Sequence, residues 1–150
     1  MTSIADTKDR HASLMALGGL LLGLKFFADA GQALSPPAAH SGLDLAALVL
    51  TGAGVLLIVP VFAWKVRHLS ARERQAYFSR EGFTANVVSR AQTASWNVTL
   101  LALIGLDVLY DGSPALPVDF FVHALIGLAL TVFAGAFLLL NREPSEGGDG

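Results

Sequence analysis

The chain has 150 residues, a net charge of −2 and no cysteine; 53% of it is hydrophobic and 15% charged. That length suits one domain, the absence of thiols excludes disulfides and thiolate-bound metals, and the near-neutral charge gives no footing for a nucleic-acid partner. Ordinary soluble domains carry roughly a quarter charged residues; here the apolar residues fall in long runs, which points to a bilayer rather than a soluble core.

Residues 1–11 are polar and mixed in charge, with Lys8 and Arg10 just before the first apolar run. They read as a flexible cytoplasmic tail. The first hydrophobic segment, 12–34, is long enough to cross a hydrocarbon core of roughly 30 Å. Lys25 interrupts it, and the uninterrupted run before Lys25 has the length of a signal-peptide core. Small-residue cleavage sites follow at Ala28-Asp29-Ala30 and Gly31-Gln32-Ala33. The segment is therefore either a retained helix or a cleaved signal. The bulky Phe26 and Phe27 favour retention, as does the small-residue spacing of Ala12, Ala16, Gly19 and Gly23, which suits close helix approach.

Residues 35–43 form the first connection, since its prolines cannot continue a helix. The run Ser41-Gly42-Leu43-Asp44 fits a capping box for the next helix, 43–64. From Leu45 to Ala63 no residue is ionisable, the strongest membrane signal in the chain. Asp44, Ala47, Thr51 and Gly54 share one face, Pro60 should bend the inner end, and Trp64 suits the membrane interface.

A basic segment, 65–90, follows and carries Lys65, Arg67, Arg72, Arg74, Arg80 and Arg90. Ser70-Ala71-Arg72-Glu73 fits a second capping box, and Leu69, Ala76 and Phe83 recur at heptad spacing. A helix built this way would lie on the headgroups with its arginines toward anionic lipid or a protein partner.

The third helix, 91–110, begins with Gln92, Thr93, Ser95, Asn97 and Thr99. Gln92, Ser95, Thr99 and Ala102 share a face that should point at other helices, because unpaired polar groups are costly in hydrocarbon. Asp111-Gly112, Pro114 and Pro117 mark a short connection. The fourth helix, 118–140, has Asp119, His123, Gly127, Thr131 and Gly135 at four-residue spacing. Phe121, Leu125, Leu128, Val132 and Leu139 are expected to face lipid, and the Gly-rich residues 141–150 form a flexible tail.

The connections 35–43 and 111–117 contain no Lys or Arg, whereas the N-terminus, the basic segment and the tail hold nine of the ten. The positive-inside rule places these three on the cytoplasmic side. The fold class expected is an all-α integral membrane protein. Its four transmembrane helices form an up-down bundle in the bacterial cytoplasmic membrane, with both termini inside and one domain over 1–150.

Chemistry is expected at an intramembrane polar cluster of Lys25, Asp29, Asp107, Asp119 and His123. Lys25 and Asp29 are four residues apart, within ion-pair reach, and an intramembrane charge is a functional candidate by default. An imidazole adds a group that exchanges protons near neutral pH. The competing reading has Lys25 snorkel outward while the carboxylates wet the helix ends. The histidines lack ligand-like spacing, and the sequence has no phosphate-binding glycine loop, nucleophile elbow or HExxH motif. No cofactor or metal is implied, and nothing supports an enzyme. The partners expected are the lipid bilayer, anionic headgroups at the basic segment, and another membrane protein or a second copy of the chain. The leading expectation is a non-enzymatic accessory or interaction protein of a membrane complex. The alternative is a small oligomeric ion or solute transporter that uses the polar residues of helices 1, 3 and 4.

Overall fold

A computed structural model describes residues 4–68, 83–110 and 116–141. The described part is all-helical, with α1 (Ile4–Leu34), α2 (Pro37–His68), α3 (Phe83–Tyr110) and α4 (Val118–Leu140). Among the described residues, three stretches are long and apolar enough to cross a membrane: Arg10–Leu34, Pro37–Ala63 and Val118–Leu140. Helices are the natural outcome for such runs, since a lipid-exposed backbone must satisfy its own hydrogen bonds. The remaining helix, α3, is not among these stretches; Ser89, Arg90, Gln92, Thr93, Ser95 and Asn97 make its first half polar.

The helices pack in the order α2–α1–α4–α3. Each of these three contacts runs antiparallel. Along α1 and α2, Gly18 lies against Gly54 and Ile58, while Gln32 bonds Asp44. Along α1 and α4, Ser13 meets Asn141, Gly23 meets Gly127 and Thr131, and Phe26 stacks on His123. Along α3 and α4, Ala91 packs in a cluster with Phe137, and Ser95 bonds Ala129.

Two glycine crossings bring α1 close to its neighbours. A Cβ on Gly18 would sit 3.0 Å from the Gly54 carbonyl oxygen, and one on Gly54 would sit 3.1 Å from that of Gly18. The same reciprocity joins Gly23 and Gly127, at 3.1 and 3.0 Å. Small residues let backbones approach closely where lipid offers no hydrophobic drive for helix association. The stripe Ala12, Ala16, Gly19 and Gly23 is the one that meets α4: Ala12 and Ala16 join the cluster around Phe137, and Gly19 faces Ala134. Asp44, Ala47, Thr51 and Gly54 form the face of α2 that runs along α1.

Several expectations need correction. The helix α1 starts at Ile4, so residues 4–11 are helical rather than a flexible tail. Only Ser35 and Pro36 separate α1 from α2, and Pro37 opens α2, the first-turn position where a missing N–H costs nothing. Ser41–Asp44 therefore lies inside α2 and is not a capping box; Asp44 instead receives a bond from α1. The third helix starts at Phe83, eight residues before the expected boundary at 91. On α4, Phe121, Leu125, Leu128 and Val132 are half-buried, and the exposed strip is Val118, Val122, Ile126 and Leu139. The reason is that α4 has neighbours on two sides, which narrows and rotates its open face. The second capping box at Ser70, the Asp111-Gly112 turn and the tail beyond Asn141 lie outside the described residues.

Candidate functional site: a polar seam on the central helix

The face of α1 defined by Gly18, Leu22, Lys25, Asp29 and Gln32 advances by four, three, four and three residues, which keeps one side of a helix in line. Gly18 and Leu22 touch α2 at Gly54, and Gln32 Nε2 donates to Asp44 Oδ1 at 2.5 Å. Lys25 and Asp29 lie between these two anchors along α1.

Lys25 Nζ donates to Asp29 Oδ2, with the two side chains 27% and 15% exposed. The ammonium also stands 4.5 Å from the centroid of the Phe26 ring, a favourable place for a cation that has lost much of its water. The Thr51 hydroxyl donates to the Ala47 carbonyl of its own helix at 2.7 Å. The seam therefore holds one cation and two carboxylates, the cation paired internally and each carboxylate hydrogen-bonded.

Phe26 points the other way as well. Its ring stacks on His123 of α4, with centroids 5.9 Å apart and planes 25° from parallel. The same aromatic ring thus touches the Lys25 ammonium and the His123 imidazole. His123 Nδ1 and Thr131 Oγ1, both on the α1-facing side of α4, are buried without a hydrogen-bond partner. At the shared end of these helices, Ser35 caps α1 by donating to the Gly31 carbonyl, and His40 Nε2 lies 3.0 Å from the Ser35 carbonyl oxygen.

Of the expected cluster, the structure brings Lys25 and Asp29 together and ties His123 to them through Phe26. Asp119 is exposed in the first turn of α4. Asp107 lies on α3, but its side chain is outside the described part. Of the basic residues, Arg67 and Arg90 are exposed; Lys65 lies on α2 with its side chain not described, and Arg72, Arg74 and Arg80 fall outside the described residues. Gln32 and Phe26 were not singled out from the sequence as site residues. Gln32 could have been found, since it falls seven residues after Lys25 on the same helical face. Phe26 carries no such signal, because its role comes from the α4 contact. Among the described residues, no group of three or more metal-ligating side chains is gathered.

The second polar feature is on α3. Ser95 is buried, and its hydroxyl donates to the Ala129 carbonyl at 2.7 Å. Thr99 and Ala102 are half-buried on the same side. Gln92, expected on that inward face, is exposed instead, together with Ser89, Thr93, Trp96 and Asn97. Ser89, Gln92, Thr93, Ser95 and Trp96 line an open groove of about 340 Å³.

A scan against protein-family models matches none, and neither the comparison with curated proteins nor that with solved structures finds a match.

Proposed function

We propose that this is a four-span protein of the bacterial cytoplasmic membrane with both termini inside, acting as a non-enzymatic interaction subunit of a membrane assembly. The observation that carries the reading is the polar outer face of α3. Ser89, Gln92, Thr93, Trp96 and Asn97 are exposed there, with Arg90 beside them, at the level of an apolar neighbour. A helix with such a face is costly in lipid and is stabilised by another helix. The seam on α1 supports the same reading, because its ion pair and its amide–carboxylate bond are already satisfied within the chain. Retention of the first segment is supported by the position of α1 between α2 and α4: its removal would strip α2 of the neighbour it packs on. The test is crosslinking in native membranes followed by purification in mild detergent. A species heavier than the 15.7 kDa chain is expected; a lone monomer with no crosslinked partner overturns the reading.

The orientation rests on the Lys and Arg distribution. Because the chain has no cysteine, single cysteines report sidedness without background. Ala38→Cys, at the exposed start of α2, is expected to react with a membrane-impermeant maleimide added to spheroplasts with intact inner membranes. Arg67→Cys, exposed at the far end of α2, is expected to react only after permeabilisation. The reverse pattern would invert the topology.

A second reading, a small oligomeric carrier, is favoured by one observation. Lys25 lies nine residues, about 14 Å, from the end of α1, deep for a charge in a membrane helix, and it touches the same ring as an imidazole with a buried, unpartnered nitrogen.

A further inference from the structure

We propose that His123 is a proton-driven switch on the contact between α1 and α4. Neutral, its ring stacks on Phe26; protonated, it turns to Asp119 on its own helix and releases α1. The proposal goes beyond the interaction reading and does not depend on it.

The first position of the ring is the one seen. The Phe26 and His123 rings have centroids 5.9 Å apart and planes 25° from parallel. Phe26 is held in place at its base: a Cβ added at Gly127 would lie 3.3 Å from the Phe26 Cβ and 3.3 Å from Phe27 Cδ1, one helical turn from His123. His123 is half-buried, and its Nδ1 is buried without a hydrogen-bond partner. A neutral ring with its proton on Nε2 suits this setting, since a bare Nδ1 leaves no buried N–H unpaired. The second position is Asp119. It lies four residues before His123, exposed in the first turn of α4. No hydrogen bond or ion pair engages its carboxylate among the described residues. A carboxylate four residues ahead of a cation is the favourable order for a pair within a helix.

Protonation shifts the balance from the first position to the second. An imidazolium is an N–H donor at both nitrogens, so a buried N–H without an acceptor would arise at Nδ1, and such an orphan donor is costly. The Phe26 ring already carries the Lys25 ammonium, 4.5 Å from its centroid, so a second cation on that ring meets a like charge. Asp29, the carboxylate beside Lys25 on α1, is engaged by it. From α3, the titratable residue near this end is Asp107, whose side chain is outside the described part. His40 of α2 bonds the Ser35 carbonyl, at the corner between α1 and α2. Asp119 is therefore the acceptor left open to the ring. One turn inward, the Gly23–Gly127 crossing contains no titratable group. It holds as a pivot while the contact between it and the shared end of the two helices loosens.

The experiment uses the full chain in lipid nanodiscs, with nitroxide labels on Leu34→Cys and Val118→Cys. Both positions are exposed, at the end that α1 and α4 share, and the chain has no other cysteine. Spin–spin distances are measured at about pH 8 and about pH 5, which bracket the imidazole range. One short distance is expected at the higher pH, and a second, longer population at the lower. His123→Phe keeps a ring on Phe26 and has no proton to gain, so it should show the short distance at both. Asp119→Asn, at an exposed position that leaves the fold intact, should reduce the longer population about twofold. A single pH-independent distance in the unsubstituted chain overturns the proposal. A response that survives His123→Phe overturns it too, and so does a full response in Asp119→Asn. Proton NMR of the unsubstituted chain gives a second measurement that needs no variant at His123. The ring signals of His123, displaced by the Phe26 ring current at the higher pH, should lose that displacement at the lower. Signals that titrate while keeping it mean that the ring stays on α1, and overturn the switch.

Discussion

Gly23→Ala is expected to lower the stability of the protein by about 3 kcal/mol. The added methyl would collide with Thr131 Oγ1 and lie 3.0 Å from the Thr131 amide nitrogen and 3.1 Å from the Gly127 carbonyl oxygen. A hydroxyl can rotate away, but two backbone atoms of α4 cannot, so α1 and α4 must shift apart by a few tenths of an ångström at this crossing. Overpacking a tight contact costs about 1–3 kcal/mol, more where backbone must shift. Intrinsic propensity works in the opposite direction, since Gly→Ala inside a helix gains about 0.5–1 kcal/mol. Gly52→Ala isolates that second effect: nothing lies within 4 Å of its would-be Cβ, and it should be neutral or slightly stabilising. Unfolding in a graded mixture of mild detergent and sodium dodecyl sulfate measures both. Adding Thr131→Ala to Gly23→Ala should recover only part of the loss, because the backbone contacts remain. Equal stability of Gly23→Ala and Gly52→Ala would mean that α1 and α4 do not cross there.

The glycines also show what the sequence makes legible. The spacing of Ala12, Ala16, Gly19 and Gly23 identifies a close-packing stripe on α1, and that of Asp44, Ala47, Thr51 and Gly54 does so on α2. Neither pattern says which helix each stripe meets. The stripe on α1 turns out to face α4, and a second face of α1, with Gly18, Lys25 and Gln32, meets α2. The C-terminal end of α1 and both ends of α4 fall at the expected residues, where Pro and polar residues close the apolar runs. Helix starts were read too late in α1, α2 and α3, because hydropathy reports the lipid-facing part of a helix and not its polar extension. Ser41–Asp44 looked like a cap since Ser and Asp at that spacing do cap helices; once Pro37 has opened α2, the same residues are free to serve the contact with α1. On α3, periodicity placed Gln92 with Ser95, one residue short of a full turn. The bond from Ser95 to Ala129 fixes the helix rotation and leaves Gln92 outside, a difference of packing that single-helix geometry does not hold.

The Lys25–Asp29 pair separates the two functional readings. In a helix, a Lys placed four residues before an Asp is the less favourable order for an ion pair, because the charges oppose the macrodipole. Local helix stability therefore gives little reason for these residues, and their setting beside α2 must. Lys25→Ala leaves Asp29 as a largely buried carboxylate without its cation. Breaking a fully buried pair costs about 3–5 kcal/mol, and the residual exposure of both side chains brings the expected loss here to about 2 kcal/mol. Replacing both, as in Lys25→Met with Asp29→Leu, should restore most of that stability, since apolar residues of similar volume avoid the desolvation penalty altogether. The double variant is then the informative one. It folds, and it keeps α1 against α2 through the Gly18–Gly54 crossing and the Gln32–Asp44 bond. A carrier that works through the pair loses its flux in proteoliposomes in this variant, while an interaction subunit keeps its crosslinks to partners in native membranes. Retained crosslinks without any flux in the unsubstituted protein would leave the pair as a structural wedge between α1 and α2. A flux present in the unsubstituted protein and abolished in the folded double variant would make transport the function.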